Sequence, residues 1–208
     1  MKQQEIWNKL SNPWSKNRQE KIPRIKKFLK GKKGKILDLG CGSGRNFYKI
    51  KYTKFYGVDF SKEMIKLAKV YAKENKISAE LKTAEAYKTG FKDNFFDSAI
   101  FNAVLHCIDS KEKRKKSVEE LFRVLKPNSY AVVSVWSRNY KKLKDKPQEC
   151  KISWTFNGKK YERYTYIFSK KELEDLFKNA GFKIIKSTED NNIVLIVKKP
   201  LNYKGSIS

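Results

Sequence analysis

The sequence predicts an α/β fold: a mainly parallel seven-stranded sheet with helices on both faces and an antiparallel C-terminal hairpin. Three observations predict it. Short apolar runs alternate with amphipathic segments, as in consecutive strand–helix units. A glycine-rich turn, Asp38-Leu39-Gly40-Cys41-Gly42-Ser43-Gly44-Arg45, directly follows the apolar run Lys35-Ile36-Leu37. The alternation ends in two strand-like segments flanking Asp190-Asn191, which close the sheet antiparallel.

In chain order, residues 1–20 read as a polar segment. A short helix over 21–30 follows, with Pro23 in its first turn, where proline is tolerated. Strand 36–39 leads into the glycine turn and a helix over 44–50. After strand 55–59, Ser61 caps a helix over 62–75 whose Met64, Ile65, Ala68 and Ala72 share a face. Strands 79–84 and 98–102 precede a helix marked by Val118, Leu121, Phe122 and Leu125 at i, i+3, i+4 and i+7. Pro127-Asn128 turns it into strand 130–136, with Asn128 standing in for glycine where φ must be positive. Residues 138–165 break the rhythm. They are basic, aromatic and loop-like, with a hairpin around Asn157-Gly158. Leu173, Leu176, Phe177 and Ala180 mark a last helix, ended by Gly181, before strands 182–188 and 192–198. Residues 1–208 read as a single domain, with an N-terminal segment 1–30 and a basic, aromatic insertion 138–168 beside the core.

The 208 residues include 48 Lys and Arg against 22 Asp and Glu, a net charge of +26. Such a field favours polyanions, RNA or DNA first. Seven of the basic residues are Arg and the other 41 Lys, so compositional drift is the alternative explanation of the lysine excess, with nucleic-acid contact the favoured one. No apolar run approaches the roughly 20 residues of a membrane span. Met1-Lys2-Gln3-Gln4-Glu5 does not read as a signal peptide. Cys41, Cys107 and Cys150 are far apart and lack metal-ligand spacing. The expectation is a cytoplasmic protein that holds no metal.

The glycines at alternate positions let a ligand approach the backbone closely. A dinucleotide loop needs Gly-x-Gly-x-x-Gly, and Arg45 stands where its last glycine belongs. Asp38 would repel a pyrophosphate and attract a cation. S-adenosylmethionine (SAM) fits: it carries an ammonium and a sulfonium and no phosphate. Asp59 ends the next strand nineteen residues after Gly40, placed to accept from both ribose hydroxyls. Glu85 is placed to accept from the adenine amino group. The expected cofactor set is Asp38, Gly40, Cys41, Gly42, Gly44, Asp59, Phe60, Glu85, Ala86 and Asn102.

From about Ile36 to Val197 these features resemble the class I SAM-dependent methyltransferases, which implies their Rossmann-like fold and SAM as cofactor. After the fourth strand the chain reads Asn102-Ala103-Val104-Leu105, not the Asn/Asp-Pro-Pro-aromatic of adenine and glutamine N-methylation. Cys107 follows His106 rather than the proline usual in cytosine C5 methylation.

The flanks resemble one family, the tRNA methyltransferases that esterify 5-carboxymethyluridine at the wobble position, which also occur in AlkB-type fusions. Trp14-Ser15-Lys16-Asn17-Arg18, Pro23-Arg24 and Phe28-Leu29 carry the N-terminal likeness. Val104-Leu105-His106, Arg114, Glu120 to Pro127 and Val135-Trp136 carry the central one. Trp154, Arg163 to Phe168 and Glu172-Leu173 carry the late one. Departures are His106-Cys107 for two histidines, Glu85 for Asp, and Pro127-Asn128-Ser129 for Pro-Gly-Gly.

The resemblance implies a tRNA anticodon loop as substrate and a small zinc-binding activator subunit that adds a strand to the sheet edge. An ionised carboxylate needs no strong base. Arg18 is expected to grip it bidentately, Trp136 to stack on a flipped uracil, and His106 to hydrogen-bond base or acceptor. Arg163 and the lysines of 141–146 are placed to contact tRNA phosphates, although such runs are usually just solvated. A small-molecule O- or N-methyltransferase of the same fold, and a non-catalytic RNA-binding subunit, are the alternatives.

Overall fold

The computed structural model describes residues 3–18 and 20–201. Met1, Lys2, Gln19 and 202–208, which the single-domain expectation also spans, lie outside the described residues. The chain runs α1 (Gln3–Lys16), α2 (Pro23–Leu29), β1 (Gly34–Leu39), β2 (Thr53–Asp59), α3 (Lys62–Glu74), β3 (Ala79–Thr83) and β4 (Phe96–Asn102). It continues through α4 (Lys111–Val124), β5 (Leu125–Trp136), β6 (Glu149–Phe156), β7 (Lys159–Tyr166), α5 (Lys170–Asn179), β8 (Lys183–Glu189) and β9 (Asn192–Lys198).

Seven strands form one sheet in the order β3-β2-β1-β4-β5-β9-β8. β1 to β5 pair in parallel, and β9 runs antiparallel between β5 and β8. The central strands are apolar on both faces because helices cover both. Alternate residues divide between two cores. Leu37, Val58, Phe101 and Val133 face α4 and α5, where Leu121, Leu173 and Phe177 meet them. Ile36, Phe55, Ile100 and Val132 face α2 and α3, where Ile25, Leu29 and Ala68 meet them. The chain winds outward from β1 through β3, then returns to β4 on the other side of β1. The carboxyl ends of β1 and β4 therefore open the crevice where such sheets hold ligands.

Three sequence expectations need correction. Residues 1–20 contain α1, whose Ile6, Leu10 and Pro13 repeat at four and three and are buried. This helix packs on α3 and reaches β7. Residues 44–50 do not form a helix; they turn and then run irregularly. Lys21 is the physical reason. Its Nζ donates to the carbonyls of Arg45 (3.0 Å) and Phe47 (2.6 Å), acceptors a helix would need, and meets the Tyr71 hydroxyl. Finally, β5 begins at Leu125, so the helix before it ends one residue short of that expected apolar position.

Other expectations hold. Asn128 has φ +64°, and the hairpin of β6 and β7 turns through Asn157 (φ +47°) and Gly158 (φ +71°), as a two-residue primed turn requires. That hairpin is a separate two-stranded sheet. No helix among the described residues is long and apolar enough to cross a membrane.

Candidate functional site

The glycine turn is held by backbone and by one carboxylate. Gly40 and Cys41 donate to the Val58 carbonyl at 2.7 and 2.9 Å, fixing the turn to β2. Gly40 has φ +76°, and a Cβ there would lie 2.2 Å from Val104 Cγ2. Gly42 has φ +54° with nothing within 4 Å of where its Cβ would be, so its backbone faces open space. Its amide donates to Asp59 Oδ2 at 2.9 Å, while the Ser61 amide donates to Oδ1 at 2.9 Å. Asp59 thus ties the turn to the start of α3. Ser61 Oγ accepts from the Met64 amide and donates to Asn8 Oδ1 at 2.7 Å, which brings in α1.

α1 forms the roof. Gln4 Nε2 donates to the Phe60 carbonyl at 2.7 Å, and Gln3 Oε1 accepts from the Tyr164 amide at 3.1 Å. Beneath it lies a cavity of about 480 Å³ between the glycine turn and the ends of β2, β4 and β5. The predicted residues Arg18, Gly40, Cys41, Gly42, Asp59, Phe60, Glu85, Ala86, Asn102, His106 and Trp136 all line it. Asp38 and Gly44 do not. Gly44 serves the turn itself: with φ +87°, a Cβ there would press on Phe47 at 2.9 Å. Asp38 lies under the loop, fully buried. Asn46 is beside it, yet neither carboxylate oxygen receives a well-directed hydrogen bond.

Burial pushes Asp38 up to about 7, against its ordinary 3.8, and Asp59 up to about 6. Glu85 is also raised by burial, with Asp109 adding to the effect and Lys113 opposing it. Asn102 Oδ1 accepts from Ser134 Oγ (2.7 Å) and Arg24 Nη2 (3.1 Å), which fixes its amide at the end of β4.

SAM fits these residues. The orphaned Asp38 carboxylate and its acidic neighbours favour a cation. The open Gly42 face admits a ligand to the backbone, and Asp59 is within the wall. The chain after the turn is not helical, so no helix N-terminus is offered there to a pyrophosphate.

A second cavity, of about 530 Å³, adjoins the first. Trp14, Arg18, Arg45, Trp136 and Arg163 line both. All four tryptophans of the chain gather here. Trp7 and Trp14, seven apart on α1, meet edge to face at 5.0 Å, and Trp14 meets Trp154 likewise at 5.4 Å. Trp136 stacks on His106 with centroids 4.8 Å apart. The Arg18 guanidinium lies 4.0 Å from the Trp14 ring centre. Burial pushes His106 down to about 3, so its imidazole is neutral at physiological pH. Burial pushes Cys107 up to about 11, a thiol unsuited to nucleophilic attack.

Sequence reasoning missed Gln3, Gln4, Trp7 and Lys21, and it read Arg163 as a surface residue, solvated or on a phosphate, whereas it is buried. The signal for the first three was present: Ile6 and Leu10 mark a helix, and Trp7 and Trp14 share its other face. Nothing local in the sequence reports that Arg163 is buried.

A family described as "Methyltransferase domain" matches residues 30–181. An Arabidopsis thaliana protein described as tRNA (carboxymethyluridine(34)-5-O)-methyltransferase is 31% identical over 64% of this chain, which spans only 32% of that protein's length. A Schizosaccharomyces pombe protein of the same description is 25% identical over 90% of this chain and 91% of its own. A SAM-dependent methyltransferase structure from Methanosarcina mazei superposes with TM-score 0.71 and 26% identity, covering 87% of this chain and 99% of that one. The putative methyltransferase complexed with the Haloferax volcanii Trm112 activator shares the fold, with TM-score 0.69 and 16% identity over 93% of this chain and 97% of that one.

Proposed function

The chain belongs to the methyltransferase-domain family and uses SAM, and from that premise we propose that it methylates the carboxylate of 5-carboxymethyluridine at the tRNA wobble position. One observation carries the reading. The cavity at the glycine turn carries the carboxylates Asp59, Glu85 and Asp109 on one side, and it joins a second cavity at Arg18, Arg45, Arg163, Trp14 and Trp136, which line both. A cationic cofactor suits the first and an anionic, stackable acceptor the second. The relatives described as carboxymethyluridine methyltransferases agree with that acceptor.

When bound, SAM supplies a sulfonium methyl: the acceptor oxygen bonds to it as the S–C bond breaks, its electron pair staying on sulfur, so anion and cation both become neutral. Gly42 and Asp59 would hold the sugar end of the cofactor, Glu85 would accept from the base, and the Asp38 charge would attract the ammonium. The protein removes no proton from the acceptor, which is consistent with a neutral His106 and a protonated Cys107. Its work is alignment. Trp136, braced by His106, stacks the base, and Arg18 orients the carboxylate. In this reading the enzyme is cytoplasmic, and the segments 1–30 and 138–168 form the substrate side of the domain described. A small zinc-binding activator adds a strand at a free sheet edge, where β3 and β8 stand.

Nucleoside mass spectrometry tests this. The protein and labelled SAM are incubated with tRNA whose wobble methyl esters have been saponified, with and without a candidate activator. Labelled 5-methoxycarbonylmethyluridine is the expected product. Label on another nucleoside overturns the wobble assignment. No label on tRNA, with SAM bound, points to a small-molecule acceptor.

A further inference from the structure

Arg163, on β7, is a cation in an unusual place. It is only 5% exposed. Its Nε is sealed from solvent without a hydrogen-bond acceptor. None of the ion pairs among the described residues includes it. Indoles surround it instead: its Cζ lies 4.7 Å from the Trp14 ring centre, 5.5 Å from Trp7 and 5.8 Å from Trp136. Burial lowers its proton affinity; Cys107 and Tyr140 oppose that shift and the nearby Arg18 adds to it. A buried charge normally has a counter-charge, since removing ions from water is costly. No carboxylate among the described residues pairs with it, and Arg163 lines both cavities where they join.

We infer that Arg163 supplies the specificity of the site: its guanidinium grips the acceptor's carboxylate at the junction of the two cavities and selects a charged acceptor over a neutral one of the same shape. The inference rests on the carboxylate-acceptor reading above and reassigns its main clamp. Arg18 is more exposed and lies against the same indole, as an outer cation. A guanidinium matches a carboxylate with two parallel N–H···O bonds, which a lysine cannot do. A backbone phosphate on the tRNA surface has no way to a residue 5% exposed behind tryptophans. The grip also has a direction. The acceptor loses its charge on becoming an ester, so Arg163 holds substrate more strongly than product and favours product release.

The test compares two tRNAs made from one ester-bearing preparation, one saponified to the carboxylate and one treated with ammonia to the primary amide. Binding to the full chain is measured with S-adenosylhomocysteine present, so that no turnover occurs. Wild type is expected to prefer the carboxylate by roughly 10- to 100-fold, the range for hydrogen bonds to a charged group. R163Q should bind the amide tRNA as wild type does and lose that preference, with cofactor affinity unchanged. R163K, which keeps the charge and loses the fork, should retain an intermediate preference and carries the test if R163Q does not fold. A full preference in either variant overturns the inference while leaving the carboxylate reading intact. Equal weakening toward both tRNAs, with a shallower salt dependence, makes Arg163 a phosphate contact and also overturns it. A wild type that does not distinguish the two tRNAs overturns the carboxylate reading and the inference together.

Discussion

Asp38→Asn should make the protein more stable and worse at binding SAM. Asp38 is fully buried and raised to about 7 from 3.8. Holding it ionised at pH 8 costs the fold about 4 kcal/mol, at about 1.4 kcal/mol per tenfold change in proton affinity. The sign follows from proton counts. Between pH 3.8 and about 7 the native state binds more protons at this site than the unfolded chain, so stability falls as pH rises through that window and then levels off. Asparagine is nearly the same shape and removes the charge. It can also donate to the buried, unpaired Asn46 Oδ1.

The stability gap between variant and wild type should therefore be about 4 kcal/mol at pH 8, about 2 kcal/mol at pH 5.5 and near zero at pH 4. At pH 8 this is a rise in Tm on the order of 10 °C for a chain of this size. SAM affinity should fall, on the order of tenfold, because a buried charge under the loop no longer attracts the cofactor's ammonium across it. For the same reason, wild-type SAM affinity should rise from pH 5.5 to pH 7.5. Thermal unfolding without ligand and titration calorimetry with SAM check both halves. A lower Tm for the variant at pH 8 would sink the reasoning, because it would make Asp38 a stabilising structural carboxylate. So would undiminished SAM affinity.

Asp59→Ala removes the acceptor of the Gly42 and Ser61 amides, and calorimetry should show SAM binding weakened about tenfold or more; unchanged affinity would reject the ribose assignment. Gly40→Ala should cost about 2 to 5 kcal/mol in denaturant unfolding, because its φ is +76° and its Cβ would collide with Val104. Lys21→Met keeps the apolar stem but frees the Arg45 and Phe47 carbonyls, so amides of 44–48 should exchange hydrogen about tenfold faster, one lost hydrogen bond's worth. Arg18→Ala should leave SAM affinity intact and reduce transfer to tRNA; equal loss of both would reject an acceptor role.

The cofactor side was legible in the sequence and the acceptor side was not, for a physical reason. Glycines with positive φ, an acid at a strand end and a serine cap are local devices, each fixed by residues within a few positions of one another. Gly40, Asp59 and Ser61 could be placed before any tertiary contact was known. The acceptor cavity draws on α1, the end of β5, the β6–β7 hairpin and the Arg18 segment, whose meeting depends on how separate elements pack. Arg163 shows this best: in sequence it sits in a basic, aromatic stretch that suggests a solvated surface. The failed helix at 44–50 is the same effect in reverse. A pattern acceptable for a helix lost to one lysine 24 residues away from Arg45, which took the carbonyls.

The arginines also settle what part of the basic composition the site uses. With 48 basic residues against 22 acidic, an indiscriminate wall would be positive throughout. The cleft instead carries both signs, with the acids at one side and the arginines where the two cavities join. Asp38, Asp59, Glu85 and Asp109 cluster around the cofactor cavity, and like charge contributes to raising the first three. Arg18, Arg45 and Arg163 line both cavities where they join, and each is lowered by burial. Arg45 stands at the border, favoured by Asp38 and disfavoured by Arg18 and Arg24. Four of the chain's seven arginines thus gather at one cleft, while lysines cover the outside. A lysine surface adds a long-range, salt-screened attraction that any polyanion feels. Buried guanidinium groups against indoles act only on what enters. Recognition therefore rests with a few arginines, and replacing outer lysines by glutamine should alter salt-dependent tRNA association without altering which acceptor is methylated.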